Sequence, residues 1–168
     1  MNDRNQAPAS HDEHDRYLLE SIRLAMGNVH REHPTWPFGA VLVKDGKVLA
    51  RSVNEVEALC DPSAHAEMQA LRAGAKAQGS TDLGGAVMYA SGYPCTMCYT
   101  AMLLAGVKQV YVAYSNEDGE PYDLSAARGY EELARPQAQR ELQLVQRRVR
   151  DQGEDLYEAW RQATTARA

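Results

Sequence analysis

Cysteine, positive charge and long apolar runs are all in short supply in this chain. Three cysteines are an odd number and too few for a disulfide scaffold. No apolar run approaches the roughly 20 residues that a membrane helix requires. Lys and Arg number 18 against 23 Asp and Glu, which leaves a net charge of -5 and a pI near 5.5. A nucleic-acid partner usually needs a basic face, so nucleic acid is not the expected ligand. Aromatic residues are few as well, with one Phe and two Trp beside nine Tyr. The opening stretch MNDRNQAPASHDEH is polar and shows no apolar signal segment. Together these absences predict a cytoplasmic protein with reduced thiols, where closely spaced cysteines serve a metal or a redox reaction.

What is present is an ordinary globular pattern, 44% apolar and 24% charged over 168 residues, a length that suits one domain. Residues 1–13 read as a loosely attached lead, and 14–168 as a single domain. From His14, apolar residues at Tyr17, Leu18, Ile22, Ala25, Met26 and Val29 recur at helical steps until Pro34 and Pro37. Two Val- and Leu-rich runs, 39–44 and 47–53, flank the hairpin signal Asp45-Gly46. After a polar loop, Asp61 or Ser63 can cap a helix running from Ala64 to about Gln78 and stopped by Gly79. A buried strand, GGAVMYAS, is followed by a helix opened by Pro94 and closed by Gly106. Then come the strand VKQVYVAY, a polar loop, a helix ending before Pro136, an outer strand ELQLVQRRV (141–149), and a final helix within 151–168. Strands alternating with helices imply crossover connections. The expected fold is α/β, a three-layer α/β/α sandwich around a five-stranded mixed sheet.

Two stretches, SAHAEMQALRAG and SGYPCTMCYTAM, carry the chemistry. Cys95 and Cys98, three apart on the first turn of a predicted helix, share one face. The positive end of that helix favours thiolates, the metal-binding form. His65 stands at the start of the other predicted helix. Two thiolates and an imidazole suit Zn2+. Three protein ligands leave one position for water, whose pKa bound zinc lowers toward about 7. Glu67, two residues past His65, is placed to take that water's proton and pass it on. A closed structural site formed by Cys60, His65, Cys95 and Cys98 is the non-enzymatic alternative, and it leaves Glu67 without a role. A redox Cys-x-x-C pair is another.

The joint pattern His-x-Glu…Pro-Cys-x-x-Cys is a zinc-deaminase signature. With HAEMQAL, PCTMC and FGAVLVKDG, the chain resembles the cytidine deaminase-like superfamily over about residues 15–135, and looks like its purine-handling branch, the guanine deaminases and tRNA adenosine deaminases. The resemblance implies that His65, Cys95 and Cys98 hold zinc and that Glu67 is the proton shuttle. It also implies that Asn54 holds the base, although an Asn there equally reads as a turn residue. EPYDLSAARGYEEL resembles the guanine-deaminase stretch whose aspartate contacts the purine, which points to Asp123; the same residue could cap a helix at Leu124. Phe38 could pack on the base or belong to the core. Backbone N–H groups at the helix starts, Ala66 among them, can orient the reacting oxygen. The tail LYEAWRQAT resembles the guanine-deaminase C-terminal helix that crosses to a partner subunit, with Trp160 as anchor, which implies a homodimer. Two departures stand out: Tyr93 replaces the glutamate common before the Pro-Cys of purine deaminases, and the chain ends TTARA without a terminal aromatic.

The expected reaction is hydrolytic deamination of a nucleobase or nucleoside, with guanine giving xanthine and ammonia. A tRNA adenosine deaminase is the rival, and Arg135, Arg140, Arg147, Arg148 and Arg150 are its best support. Those arginines alternate with Leu and Val and are flanked by Asp151, Glu154 and Asp155. A deaminase of cytosine or another aminated heterocycle is a third reading.

Overall fold

The computed structural model describes residues 11–147 and 155–165. The chain divides into two compact units, up to Ala134 and from Arg135 onward. In the first, helix α1 (His11–Val29) precedes a hairpin of β1 (Gly39–Lys44) and β2 (Lys47–Val53). A short helix α2 (Val56–Leu59) leads to α3 (Ala66–Gln78), β3 (Val87–Gly92), α4 (Thr96–Leu104) and β4 (Gln109–Tyr114). Helix α5 (Asn116–Gly119), a 3-10 turn at Glu120–Tyr122 and α6 (Ala127–Ala134) complete the unit. The second unit contains a 3-10 turn at Gln137–Gln139 and helix α7 (Leu156–Thr165).

The hairpin turns at Asp45 and Gly46, both with positive φ, 52° and 69°. This is the turn geometry whose twist matches paired strands. The sheet order is β2-β1-β3-β4. β1 is antiparallel to both neighbours, and β3 and β4 run parallel across the α4 crossover. Strand alternation splits the core into two layers. Ala40 and Leu42 of β1 pack with Met88, Ala66, Ala70, Leu71, Cys98 and Met102 on the α3 and α4 side. Val41 and Val43 pack with Tyr17 and Tyr89 on the α1 side. The Tyr89 hydroxyl meets His14 Nδ1 at 2.8 Å, tying α1 to β3.

The three layers are present, but the sheet has four strands among the described residues, not five. Residues 141–147 form no strand, and Leu142, Leu144 and Val145 are exposed. An alternating apolar segment becomes a strand only where another strand completes its ladder, and here none does. Arg148 and Val149 of that expected strand, Arg150, Asp151, Glu154, the lead up to residue 10 and residues 166–168 lie outside the described residues.

The buried face of α1 agrees with expectation at Tyr17 and Ala25 and departs from it at the other positions of the set. Tyr17, Ser21, Ala25 and Asn28 are the residues turned inward, while Met26 and Val29 are exposed. The cause is a close approach to Gly39. A Cβ there would fall onto the Ser21 carbonyl oxygen and lie 2.8 Å from the Ala25 nitrogen. Only small residues fit at that contact, and Ser21 and Ala25 occupy it.

Candidate active site

The two key helices begin in the same way. His65 is the N-cap of α3 and Cys95 the N-cap of α4, each with extended backbone and neither capping its helix with its side chain. The expected caps Asp61 and Ser63 act earlier: Asp61 Oδ1 accepts the Ser63 N–H at 2.8 Å and the Ser63 hydroxyl at 2.6 Å. These bonds hold the Asp61 carboxyl below its ordinary range. Arg72 of α3 reaches back to donate to Ser63 Oγ at 2.8 Å. The loop is closed by Glu55 N–H to the Ala64 carbonyl at 2.9 Å, and by Gln69 Nε2 to Glu55 at 2.5 Å. The segment after β2, which carries Asn54, is thereby stitched to the start of α3.

His65 Nδ1 lies 3.6 Å from Cys95 Sγ and 3.7 Å from Cys98 Sγ, and the two sulfurs are 3.6 Å apart. Tetrahedral zinc, with Zn–S of about 2.3 Å and Zn–N of about 2.0 Å, sets sulfurs about 3.8 Å apart and sulfur and nitrogen about 3.5 Å apart. The three donors therefore fit one zinc ion without rearrangement. Cys60 does not join them. It is exposed, in a left-handed conformation at the end of α2, with its sulfur on the Glu57 carbonyl.

Of the two sulfurs, Cys95 is the more acidic. A hydrogen bond from Cys98, reinforced by His65, brings its thiol down to about 4. Cys98 is pushed up by that same hydrogen bond and then by burial. His65 is raised, first by its hydrogen bond to Cys95. Glu67, only 6% exposed, has Oε2 3.5 Å from Cys98 Sγ. Burial is the main cause of its raised carboxyl pKa. A carboxyl group so placed accepts and returns a proton more readily near neutral pH than one in water.

Asn54 is buried, its N–H donating to the Phe38 carbonyl at 3.0 Å and its Oδ1 accepting the Val56 N–H at 3.2 Å. Its amide nitrogen has no partner among the described residues. Ala66 is fully buried at the first position of α3, where the backbone N–H has no partner within the helix. Phe38 is half-buried against Gly92 and lines a cavity of about 410 Å³. None of the metal donors lines that cavity, but Tyr122 and Leu124, on either side of Asp123, do. Asp123 does not cap α6, which begins at Ala127. It closes the 3-10 turn, exposed, with φ of 57°. Trp160 lies on α7 in the second unit and is 67% exposed.

Two supporting residues gave no sequence motif. Tyr130 of α6 donates its hydroxyl to the Pro94 carbonyl at 2.9 Å, beside the candidate donor Cys95. Asn28 donates to the Asn54 carbonyl at 2.9 Å. The one available signal for Asn28 was a polar residue at a helical step from Tyr17 and Ala25.

Residues 12–114 match the cytidine and deoxycytidylate deaminase zinc-binding region. Guanine deaminase of Bacillus subtilis (strain 168) is 34% identical over 133 residues, covering 79% of this chain and 85% of that protein. The crystal structure of guanine deaminase from Bacillus subtilis superposes with a TM-score of 0.80 at 31% identity, over 92% of this chain and 95% of that one. A tRNA-specific adenosine deaminase of Agrobacterium fabrum is 42% identical over 83 residues, 49% of this chain and 55% of that protein. Motif, donor geometry and these likenesses agree, and the chain belongs to the cytidine and deoxycytidylate deaminase zinc-binding family as a zinc-dependent nucleobase deaminase.

Proposed function

We propose that the protein deaminates guanine, or a close purine relative, to the corresponding oxo-purine and ammonia. The observation that carries this reading is a buried Glu67 carboxylate 3.5 Å from a metal donor, in a chain similar to guanine deaminase over most of its length. The likeness to the adenosine deaminase covers only half the chain.

His65, Cys95 and Cys98 hold the zinc. When bound, zinc supplies a Lewis acid that makes water a nucleophile at neutral pH. Glu67 takes one proton of the attacking water on its carboxylate and delivers it to a ring nitrogen; it then takes the second proton from the new hydroxyl on the ring carbon and delivers it to the amine, which leaves as ammonia while the carbonyl forms. Burial suits it to this exchange, since its acid form is favoured more than in water. Asn54 anchors the base through its amide nitrogen, donating to a ring acceptor. The Ala66 N–H orients the reacting oxygen, and Phe38 packs on the base.

Asp123 accepts from the N1–H and amino group of guanine, donors that adenine and cytosine do not present together. Its exposed carboxylate and left-handed backbone support that role, because such strain collects at functional sites. The protein works in the cytoplasm as a homodimer, with α7 as the helix that packs on the partner subunit and Trp160 as its anchor. Leu156, Tyr157 and Trp160 leave that helix an exposed apolar surface, which supports this reading. Among the described residues, no helix is long and apolar enough to cross a membrane.

The test is ammonia release by zinc-loaded protein from guanine, guanosine, cytosine, adenine, adenosine and a tRNA anticodon stem, with Glu67→Gln as control. Guanine turnover that vanishes in the variant supports the proposal. Turnover of the anticodon stem alone transfers the assignment to the tRNA deaminases.

A further inference from the structure

Asn28 is fully buried on the last turn of α1, and the chemistry proposed above does not use it. Its Nδ2 donates to two backbone carbonyls, Asn54 at 2.9 Å and Trp36 at 3.2 Å. Its backbone carbonyl accepts the Thr35 N–H at 3.3 Å. The Trp36 carbonyl also receives the Phe38 N–H at 2.9 Å, and the Phe38 carbonyl receives the Asn54 N–H at 3.0 Å. One side chain thus closes a ring of hydrogen bonds through the two residues read as contacting the base.

We infer that Asn28 is a positioning residue for the substrate-anchoring amide of Asn54. The inference rests on the reading of Asn54 as the anchor. Every polar group of Asn54 except its amide nitrogen is committed: N–H to Phe38, Oδ1 to Val56, and C=O to Asn28. Remove the Asn28 donor and the Trp36 carbonyl keeps the Phe38 N–H, but the Asn54 carbonyl keeps nothing. A buried carbonyl without a donor must turn toward water. That rotation swings the peptide after Asn54 and with it the amide that meets the substrate.

Core packing does not account for an asparagine here. Its Oδ1 is buried with no partner among the described residues, so an apolar side chain would avoid a cost that the amide carries. What the amide adds is the pair of donated bonds.

The experiment compares zinc-loaded wild type with Asn28→Asp, Asn28→Ser, Asn54→Ala and the double variant Asn28→Ser/Asn54→Ala. Guanine is the substrate, and zinc content and melting temperature are measured alongside. Asn28→Asp keeps the shape and removes both donors. Asn28→Ser, smaller and uncharged, is the variant to read where the aspartate fails to fold. The expected result is a KM about tenfold higher, the loss of about one net hydrogen bond. The kcat of zinc-loaded protein should stay within about threefold. The double variant should bind no more weakly than Asn54→Ala, because the two residues act as one unit. An unchanged KM with a lowered melting temperature makes Asn28 a scaffold residue and overturns the inference, as do additive effects in the double variant. Asn54→Ala with unchanged KM and kcat overturns the anchor reading itself, and the inference falls with it.

Discussion

Two glycine-to-alanine substitutions, twelve residues apart, should move stability in opposite directions. At Gly39 the added methyl meets the Ser21 carbonyl oxygen, the Ala25 nitrogen at 2.8 Å and the Leu24 Cβ at 2.9 Å. Two of these are backbone atoms and the third is a Cβ, so none can rotate away. Relief requires α1 to move off β1, which also loosens the layer formed by Tyr17, Val41, Val43 and Tyr89. Overpacking of a core costs about 1–3 kcal/mol, and a clash against backbone belongs at the upper end. For a chain of this size each kcal/mol lowers Tm by about 2–4 °C, so a fall of about 6–12 °C is expected. At Gly27 the added methyl meets nothing within 4 Å, and the residue is exposed on the same helix. Alanine there gains helix propensity of up to about 1 kcal/mol, or about 2–4 °C. Thermal unfolding followed by circular dichroism, at matched zinc content, reads both. A Gly39→Ala protein melting within about 2 °C of wild type would refute the close approach that sets the face of α1.

Glu67→Gln should retain zinc and fold, while deamination falls by about 10²–10⁴, the usual range for a general acid–base group; metal analysis and ammonia release measure the two. Zinc binding should survive Cys60→Ser and be lost in Cys95→Ser or Cys98→Ser, because Cys60 is exposed and outside the donor cluster; zinc stoichiometry after dialysis decides it. Tyr130→Phe removes the hydroxyl that holds the Pro94 carbonyl. Outer partners of metal ligands are worth about 10–100-fold in affinity when they bond a ligand directly. Acting one residue away from Cys95, Tyr130 should cost several-fold, read by chelator competition, and an unchanged affinity would show that the turn stands without it.

Local chemistry made much of this protein legible in its sequence. Asp45-Gly46 announced the hairpin, and Gly79 and Gly106 the ends of α3 and α4, because positive φ leaves few residue choices. His65, Cys95 and Cys98 stood out as candidate donors because zinc restricts its ligands to a few residue types, and Glu67 as the candidate proton carrier because it lies two residues past His65. Other features depended on partners distant in the chain. The apolar alternation after Pro136 predicted a strand, yet a strand exists only beside another, and residues 141–147 find none. The periodicity of α1 indicated the helix and part of its inward face, at Tyr17 and Ala25, but not the buried Ser21 and Asn28 or the exposed Met26 and Val29, since the approach to Gly39 admits only small residues. Asn28 and Tyr130 carry no motif, because each acts through a carbonyl far along the chain, 26 and 36 residues away. Sequence alone determined which atoms could bind a metal and move a proton. The tertiary structure decided whether three donors from two helices meet within bonding range of one ion, since only packing on a shared sheet brings those helix starts together.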